Sequence, residues 1–273
     1  MAKSQSGLTE IQIAKRLKQG RGQGSGASYK PWLLINEVPS QGLSHRIYSF
    51  KTKRVHHLLS NLELGAFLTL DWIEHVQDIR EQYPLLLDET IEIASKSGIK
   101  HPNVRGVNQV MTSDFLVDSS THKQFAIQVK PSSELKDPRT IEKLEIERLY
   151  WQSKNIPWYI MTEKELSPTV LENIKWLYSS QNNTKINDQL LGSLRIFEFF
   201  CQQNPQMGLI DICKFIDREY QQDIGQSLTD LKQLMAQRLV KFDITKAFKE
   251  LRVQDFKFYQ PQLVKGFLNV AGQ

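Results

Sequence analysis

Cysteine is nearly absent from this chain of 273 residues: only Cys201 and Cys213 occur, with no CxxC pair and no Cys/His cluster at zinc spacing. A disulfide scaffold and a structural zinc site are thereby excluded. The six histidines are scattered rather than grouped. Long apolar runs are missing too, since no stretch approaches the ~20 residues of a membrane span. The opening MAKSQSGLTEIQIAKRLKQGRG has no signal-peptide core, and a cytoplasmic protein with no membrane part is expected. Charge of one sign is also scarce, because 35 basic residues stand against 30 acidic ones and leave +5. That balance permits a polyanionic partner without demanding one.

What is present reads as two parts. Leu8–Leu17 repeats apolar residues at helical spacing behind Thr9, then runs into the glycine-rich GRGQGSGAS. This follows a helix rather than a strand and lacks a GK[ST] ending, which argues against a phosphate loop and for a mobile linker carrying Arg21 toward a phosphate backbone. HRIYSF and VHHLLS form a hairpin with a basic turn. SNLELGAFLTLD places Leu62, Ala66, Phe67 and Leu70 on one helical face, and VQDIREQYPL is a strand ended near Pro84. DETIEIASKSG is a helix with a glycine stop. QVMTSDFLVD and QFAIQVKP, joined at SSTHK, are the most strand-like runs of the chain. Asp137-Pro138 caps a long amphipathic helix ending near Lys154, and IPWYIMT is a short buried strand.

Strand, strand, helix, strand predicts an α/β domain over 1–165 with a mixed sheet flanked by helices. Beyond Ser167 the pattern changes to helices separated by polar turns, closing on the strand-like VKFDIT. Residues 166–273 therefore outline a winged-helix domain that binds DNA or a partner, with a generic helical bundle as the plainer alternative.

The residues that carry chemistry sit on the central hairpin. Asp114 in MTSDFLVD and Lys130 at the end of QFAIQVK lie on adjacent strands, with Gln128 two residues before the lysine. A lysine turned into a sheet needs an anion or carboxylate to meet it. Phosphodiester hydrolysis uses a divalent ion to polarise phosphoryl oxygens and activate water, and Mg²⁺ takes a few carboxylate oxygens plus water and phosphate. Two carboxylates ~4 Å apart repel by about 4 kcal/mol at an effective dielectric of 20, so a site that gathers them implies a cation. Asp114 and Glu63 are the candidate ligands, Gln128 a third ligand or a support, and Lys130 the charge that steadies hydroxide or the pentavalent phosphate. Each has a plainer role: Ser60-Asn61-Leu62-Glu63 fits a capping box, Asp114 a strand edge, and Lys130 a solvated strand end.

Asp114 followed by Gln128-Val129-Lys130 resembles the PD-(D/E)XK nuclease superfamily, with Gln128 where Asp or Glu is usual. Together with LLSNLELGAFLTLDW, DIREQYPLL, GIKHPNVRGVNQVMTSDFLVD and EKLEIERLYWQSKNIPWYIMTEKE, the chain is similar to the TnsA family, endonuclease subunits of heteromeric cut-and-paste transposases. The likeness spans nearly the whole chain and weakens after about residue 180. The resemblance implies a restriction-endonuclease-like domain followed by a winged-helix domain. It gives Glu63, Asp114 and Lys130 catalytic roles and Gln128 a supporting one. Mg²⁺ is the implied cofactor, with Mn²⁺ able to substitute. Its implied task is cleavage at the 5′ ends of a transposon, beside a TnsB-like transposase that acts on the 3′ ends and a TnsC-like ATP-dependent regulator. Two other readings compete: a stand-alone restriction or junction-resolving nuclease, and a non-catalytic winged-helix adaptor.

Overall fold

The structure is a computed structural model and describes residues 7–37, 43–121, 123–181 and 186–259. It separates into two units, Met1–Leu171 and Glu172–Gln273.

In the first unit α1 (Glu10–Lys18) starts at Thr9, whose side chain and that of Gln12 form a reciprocal cap. Hairpin strands β1 (His45–Ser49) and β2 (Arg54–Leu58) pair antiparallel. Then come α2 (Asn61–Trp72), β3 (Val76–Pro84) and α3 (Leu87–Lys96). A two-residue-strand hairpin, β4 (Asn103–Val104) with β5 (Val107–Asn108), leads to β6 (Thr112–Ser119) and β7 (Lys123–Val129). The turn joining β6 to β7 includes His122, which lies outside the described residues. Helix α4 (Pro138–Ser153) begins at Asp137, whose carboxylate accepts from the Thr140 N–H with proline at the first helical position. It crosses to β8 (Trp158–Met161).

The central sheet has order β3-β6-β7-β8, antiparallel at its first two junctions and parallel between β7 and β8. It is the mixed α/β layer that the strand and helix pattern implies. Helix α4 packs on it through Tyr150 and Trp151, which join Leu85, Leu116 and Ala126 in one core cluster. Helix α2 is buried more completely than a single apolar stripe predicts. Gly65, Ala66, Phe67 and Leu68 are all buried in succession, and a Cβ on Gly65 would already touch Leu166 and Leu171. The first turn of α2 lies beside the sheet, where Glu63 Oε2 accepts from Gln82 Nε2 of β3 at 3.3 Å.

The glycine-rich segment departs from the mobile linker expected of its composition. It is folded back on β3: the Gly26 N–H donates to Asp78 Oδ2 at 2.9 Å, and Gly22 N–H to Lys30 O at 2.6 Å. Gly22 has φ +78°, and a Cβ there would fall 2.1 Å from Pro84 Cγ, so conformation and close approach both demand glycine. Arg21 is held by a two-point contact with Glu37, at 3.2 and 2.8 Å, rather than extended toward solvent.

The second unit contains α6 (Asp188–Gln203), α7 (Leu209–Glu219) and α8 (Gln226–Ala236), preceded by α5 (Pro168–Tyr178), which straddles the division. Residues 182–185 of the polar run QNNTKINDQ lie outside the description. Strand β9 (Val240–Lys241) pairs antiparallel with β10 (Lys257–Phe258), and Gly208 bridges Arg252. In this unit three helices are followed by a strand pair. Buried Asn173 ties it together: its amide donates to the carbonyls of Ile244 and Lys246, each at 2.8 Å, and accepts from Phe248 N–H. Trp176 stacks flat on Phe248 at 4.4 Å.

Candidate active site

Glu63 enters the site from the first turn of α2. Ser60 caps that helix by accepting from the Glu63 N–H at 3.1 Å, and its hydroxyl donates back to Glu63 Oε1 at 3.2 Å. The other oxygen, Oε2, accepts from Leu59 N–H at 2.9 Å, one residue outside a conventional capping box. Capping and site duty are therefore not alternatives for this residue. One carboxylate does the first and is placed for the second.

Asp114 lies near the start of β6 and is buried. Its Oδ2 accepts from the Val129 N–H at 2.8 Å, while its own N–H donates to Gln128 Oε1 at 3.1 Å. The β6/β7 hairpin thus joins Asp114 to the Gln128-Val129-Lys130 run twice, once through backbone and once through side chain. Gln128 uses its oxygen to hold the Asp114 backbone. Lys130 follows the last residue of β7, and its N–H donates to Met161 O at 3.0 Å, extending the pairing with β8.

Two residues singled out by no sequence motif belong to the same group. Gln82 on β3 donates from Nε2 to Glu63 Oε2 at 3.3 Å and to Asp114 Oδ1 at 3.2 Å. Glu147 on α4 accepts from Ser113 Oγ at 2.6 Å and Trp158 Nε1 at 2.8 Å. Gln128, Lys130, Glu134 and Glu147 line a cavity of about 320 Å³. Four polar residues in the buried run DIREQ, and a glutamate on a face otherwise apolar, were the signals available in sequence.

Electrostatics set these groups apart from ordinary surface acids. Burial, and then the charge of Asp114, pushes Glu63 up to about 8. Burial likewise raises Asp114 against the opposing pull of Lys130, and takes Glu147 up to about 8. Lys130 is raised chiefly by Asp114, with Glu134, Glu147 and Glu63 adding to the effect. Carboxyls that burial makes reluctant to ionise, beside an ammonium favoured in its charged form by Asp114, suit a site that receives a cation. The donors fit a hard divalent ion: Mg²⁺ keeps several waters and needs only one or two carboxylates. Among the described residues no group of three His, Cys, Asp or Glu could hold a metal ion.

The family of TnsA-like endonuclease N-terminal regions matches residues 74–163, and that of TnsA endonuclease C-terminal regions matches 165–244. The Transposon Tn7 transposition protein TnsA of Escherichia coli is 52% identical over 257 residues, covering 93% of this chain and 94% of that protein. The chain belongs to the TnsA endonuclease family. It is a metal-dependent endonuclease, and the stand-alone restriction enzyme and the non-catalytic adaptor give way to this family's activity. In TnsA-family terms the N-terminal match contains Asp114, Gln128 and Lys130, whereas Glu63 lies upstream of it and within the unit Met1–Leu171. No helix among the described residues is long and apolar enough to cross a membrane.

The raised carboxyls predict a pH dependence with a definite sign. Glu63 binds its proton more tightly in the folded chain, near 8, than the ordinary 4.5 of an unfolded one. Stability from that proton is full below about 4.5 and is lost as pH rises toward 8. In chelator, the thermal midpoint should therefore fall between pH 5 and 8. If Glu63 and Asp114 are the ligands, adding Mg²⁺ should flatten the fall, because an ion bound there would take the place of their protons. A slope that Mg²⁺ does not alter would remove both residues from the ion's shell.

Proposed function

We propose that this chain cuts DNA at the 5′ ends of a transposon, using Glu63 and Asp114 as ligands of a Mg²⁺ site in which Mn²⁺ can substitute. The observation that carries the reading is the convergence of a helix carboxylate, a strand carboxylate and the Gln128-Val129-Lys130 run on one buried point, with Lys130 in the field of four acids. When bound, the ion supplies polarisation of the phosphoryl oxygens and an activated water. Gln128 fixes the backbone of Asp114 and so the direction of its carboxylate, and acts as a support more than as a ligand. Lys130 is held as an ammonium by Asp114 and is placed to meet the negative charge that grows on the phosphorane-like transition state. Burial of both carboxylates keeps bulk water from competing with the scissile phosphate.

We further propose that residues 1–165 cut and that 166–273 regulate, in the cytoplasm, with a TnsB-like 3′-end transposase and a TnsC-like ATP-dependent regulator as partners. Partner docking is favoured over groove reading by the charge of α8. Its ionisable residues are one acid, Asp230, and one base, Lys232, and the latter sits over the Trp176 ring at 5.3 Å. A helix bound in a major groove draws much of its affinity from basic contacts to phosphate.

The test combines the purified chain, Mg²⁺ and end-labelled donor DNA with and without the two partner proteins. The chain alone should cut little, and the complete mixture should break the 5′ strands at the element's ends. Robust cutting of arbitrary DNA by the chain alone would overturn the division of labour.

A further inference from the structure

Gln82 stands between the two acidic side chains of the site, and its position is an unusual one for glutamine. Each of its two amide hydrogens serves one carboxylate, Glu63 Oε2 at 3.3 Å and Asp114 Oδ1 at 3.2 Å. The other end of the amide accepts from Thr112 Oγ1 at 3.4 Å, so a carbonyl facing the acids, which would repel them, is disfavoured from both ends. The side chain is buried. Its carboxamide joins ligands that come from different elements, α2 and β6, and that share no direct covalent or backbone restraint.

The backbone is bent to put it there. Gln82 has φ +49°, a left-handed conformation that a side chain with a Cβ resists. Strand pairing nevertheless continues on either side, Glu81 with Phe115 and Tyr83 with Ser113, and the Gln82 carbonyl is pinned by Trp32 N–H at 3.2 Å. In a regular strand, neighbours face opposite ways. Here Glu81 bonds to Arg54 and His56 while Gln82, equally buried, reaches the acids. Glycine would satisfy this backbone better than glutamine does. Left-handed φ also occurs at Gln221 and at other non-glycine residues of the chain, but Gln82 adds to it a buried amide that contacts both acids.

We propose that Gln82 is a positioning residue for the metal site, setting the separation and rotation of the Glu63 and Asp114 carboxylates for the divalent ion. This rests on the assignment of those two residues as ligands. Support of this kind, from groups that orient a ligand without touching the ion, commonly governs metal affinity by ten- to a hundredfold.

The experiment measures Mn²⁺ affinity of the full chain by calorimetry, together with thermal midpoints in chelator. Variants are Gln82→Gly, which frees the strained backbone, Gln82→Met, which keeps the volume but has no donor, and Asp114→Asn as control for the ligand assignment. The expected result is a loss of about tenfold or more in Mn²⁺ affinity for both Gln82 variants, measured below the chelator melt of each. Affinity within twofold of the parent in whichever Gln82 variant folds would overturn the inference. So would a loss of stability in chelator with affinity unchanged, since that is what a merely structural glutamine gives. If Asp114→Asn also binds Mn²⁺ as the parent does, the ligand assignment itself fails and this inference falls with it. Weak binding by Asp114→Asn beside normal binding by the Gln82 variants would reject Gln82 alone.

Discussion

Replacing Asp114 by asparagine should reduce Mg²⁺-dependent cleavage by roughly three orders of magnitude or more, the several kcal/mol of transition-state stabilisation that a catalytic ion supplies. The fold should survive. Asparagine keeps an oxygen for the Val129 N–H, which Asp114 Oδ2 receives at 2.8 Å, and it removes a charge whose burial is unfavourable in the metal-free protein. Alanine should be equally inactive but less stable, by about 1–3 kcal/mol, because it leaves that N–H unpaired. Cleavage assays at saturating partners and thermal melts of both variants make the comparison. An active asparagine variant would mean that Asp114 is not a ligand and that the site lies elsewhere.

The largest effect on stability is expected from Arg54→Ala. The Arg54 guanidinium reaches Glu81 Oε1 at 2.7 Å and Oε2 at 2.5 Å, donates to Ile79 O at 2.6 Å, and lies 5.0 Å from the Tyr29 ring. Glu81 is fully buried. Burial alone would raise its pKa, but His56 and Arg54 reverse this and hold it at about 2. Removing one partner of such a pair strands a buried charge, which costs about 3–5 kcal/mol, or roughly 10 °C in Tm for a chain of this size. Because Glu81 also receives the His57 N–H, the cluster ties β2 to β3, and β2 leads directly into the cap of α2 where Glu63 sits. Activity should fall with stability, and should recover when the temperature is lowered. The sign with pH is the reverse of that at Glu63: stability from a depressed carboxylate is present above its ordinary 4.5 and disappears as pH falls toward 2. An Arg54→Ala melt within 2 °C of the parent would show that the cluster contributes nothing.

Much of the site was legible because its parts are local. The Ser60-to-Glu63 spacing announces a helix start, and the hairpin that carries Asp114 and Lys130 follows from two alternating apolar runs with one turn between them. The sequence could not show that the capping carboxylate also meets Gln82 beside Asp114, since that depends on where β3 passes. Gln82 escaped notice for a physical reason: its role comes from a left-handed backbone that no propensity assigns to glutamine in a strand. Glu147 escaped because its place on the apolar face of α4 does not reveal its partners, Ser113 and Trp158, which come from other elements. The glycine-rich segment misled through composition. Its order depends on Asp78 and Pro84, more than fifty residues away, and four glycines with positive φ look the same in sequence as four in a loose linker.

The central claim is that Glu63 and Asp114 share one divalent ion, and it can be tested without DNA or partners. Fe²⁺ binds at oxygen sites that accept Mg²⁺ and Mn²⁺, and with ascorbate and peroxide it cuts the polypeptide next to where it is held. Fragments mapped by mass spectrometry should end near residues 63, 114 and 128, should be suppressed by excess Mg²⁺, and should be missing from Asp114→Asn. Cuts that cluster elsewhere, or an unchanged pattern in Asp114→Asn, would contradict the account.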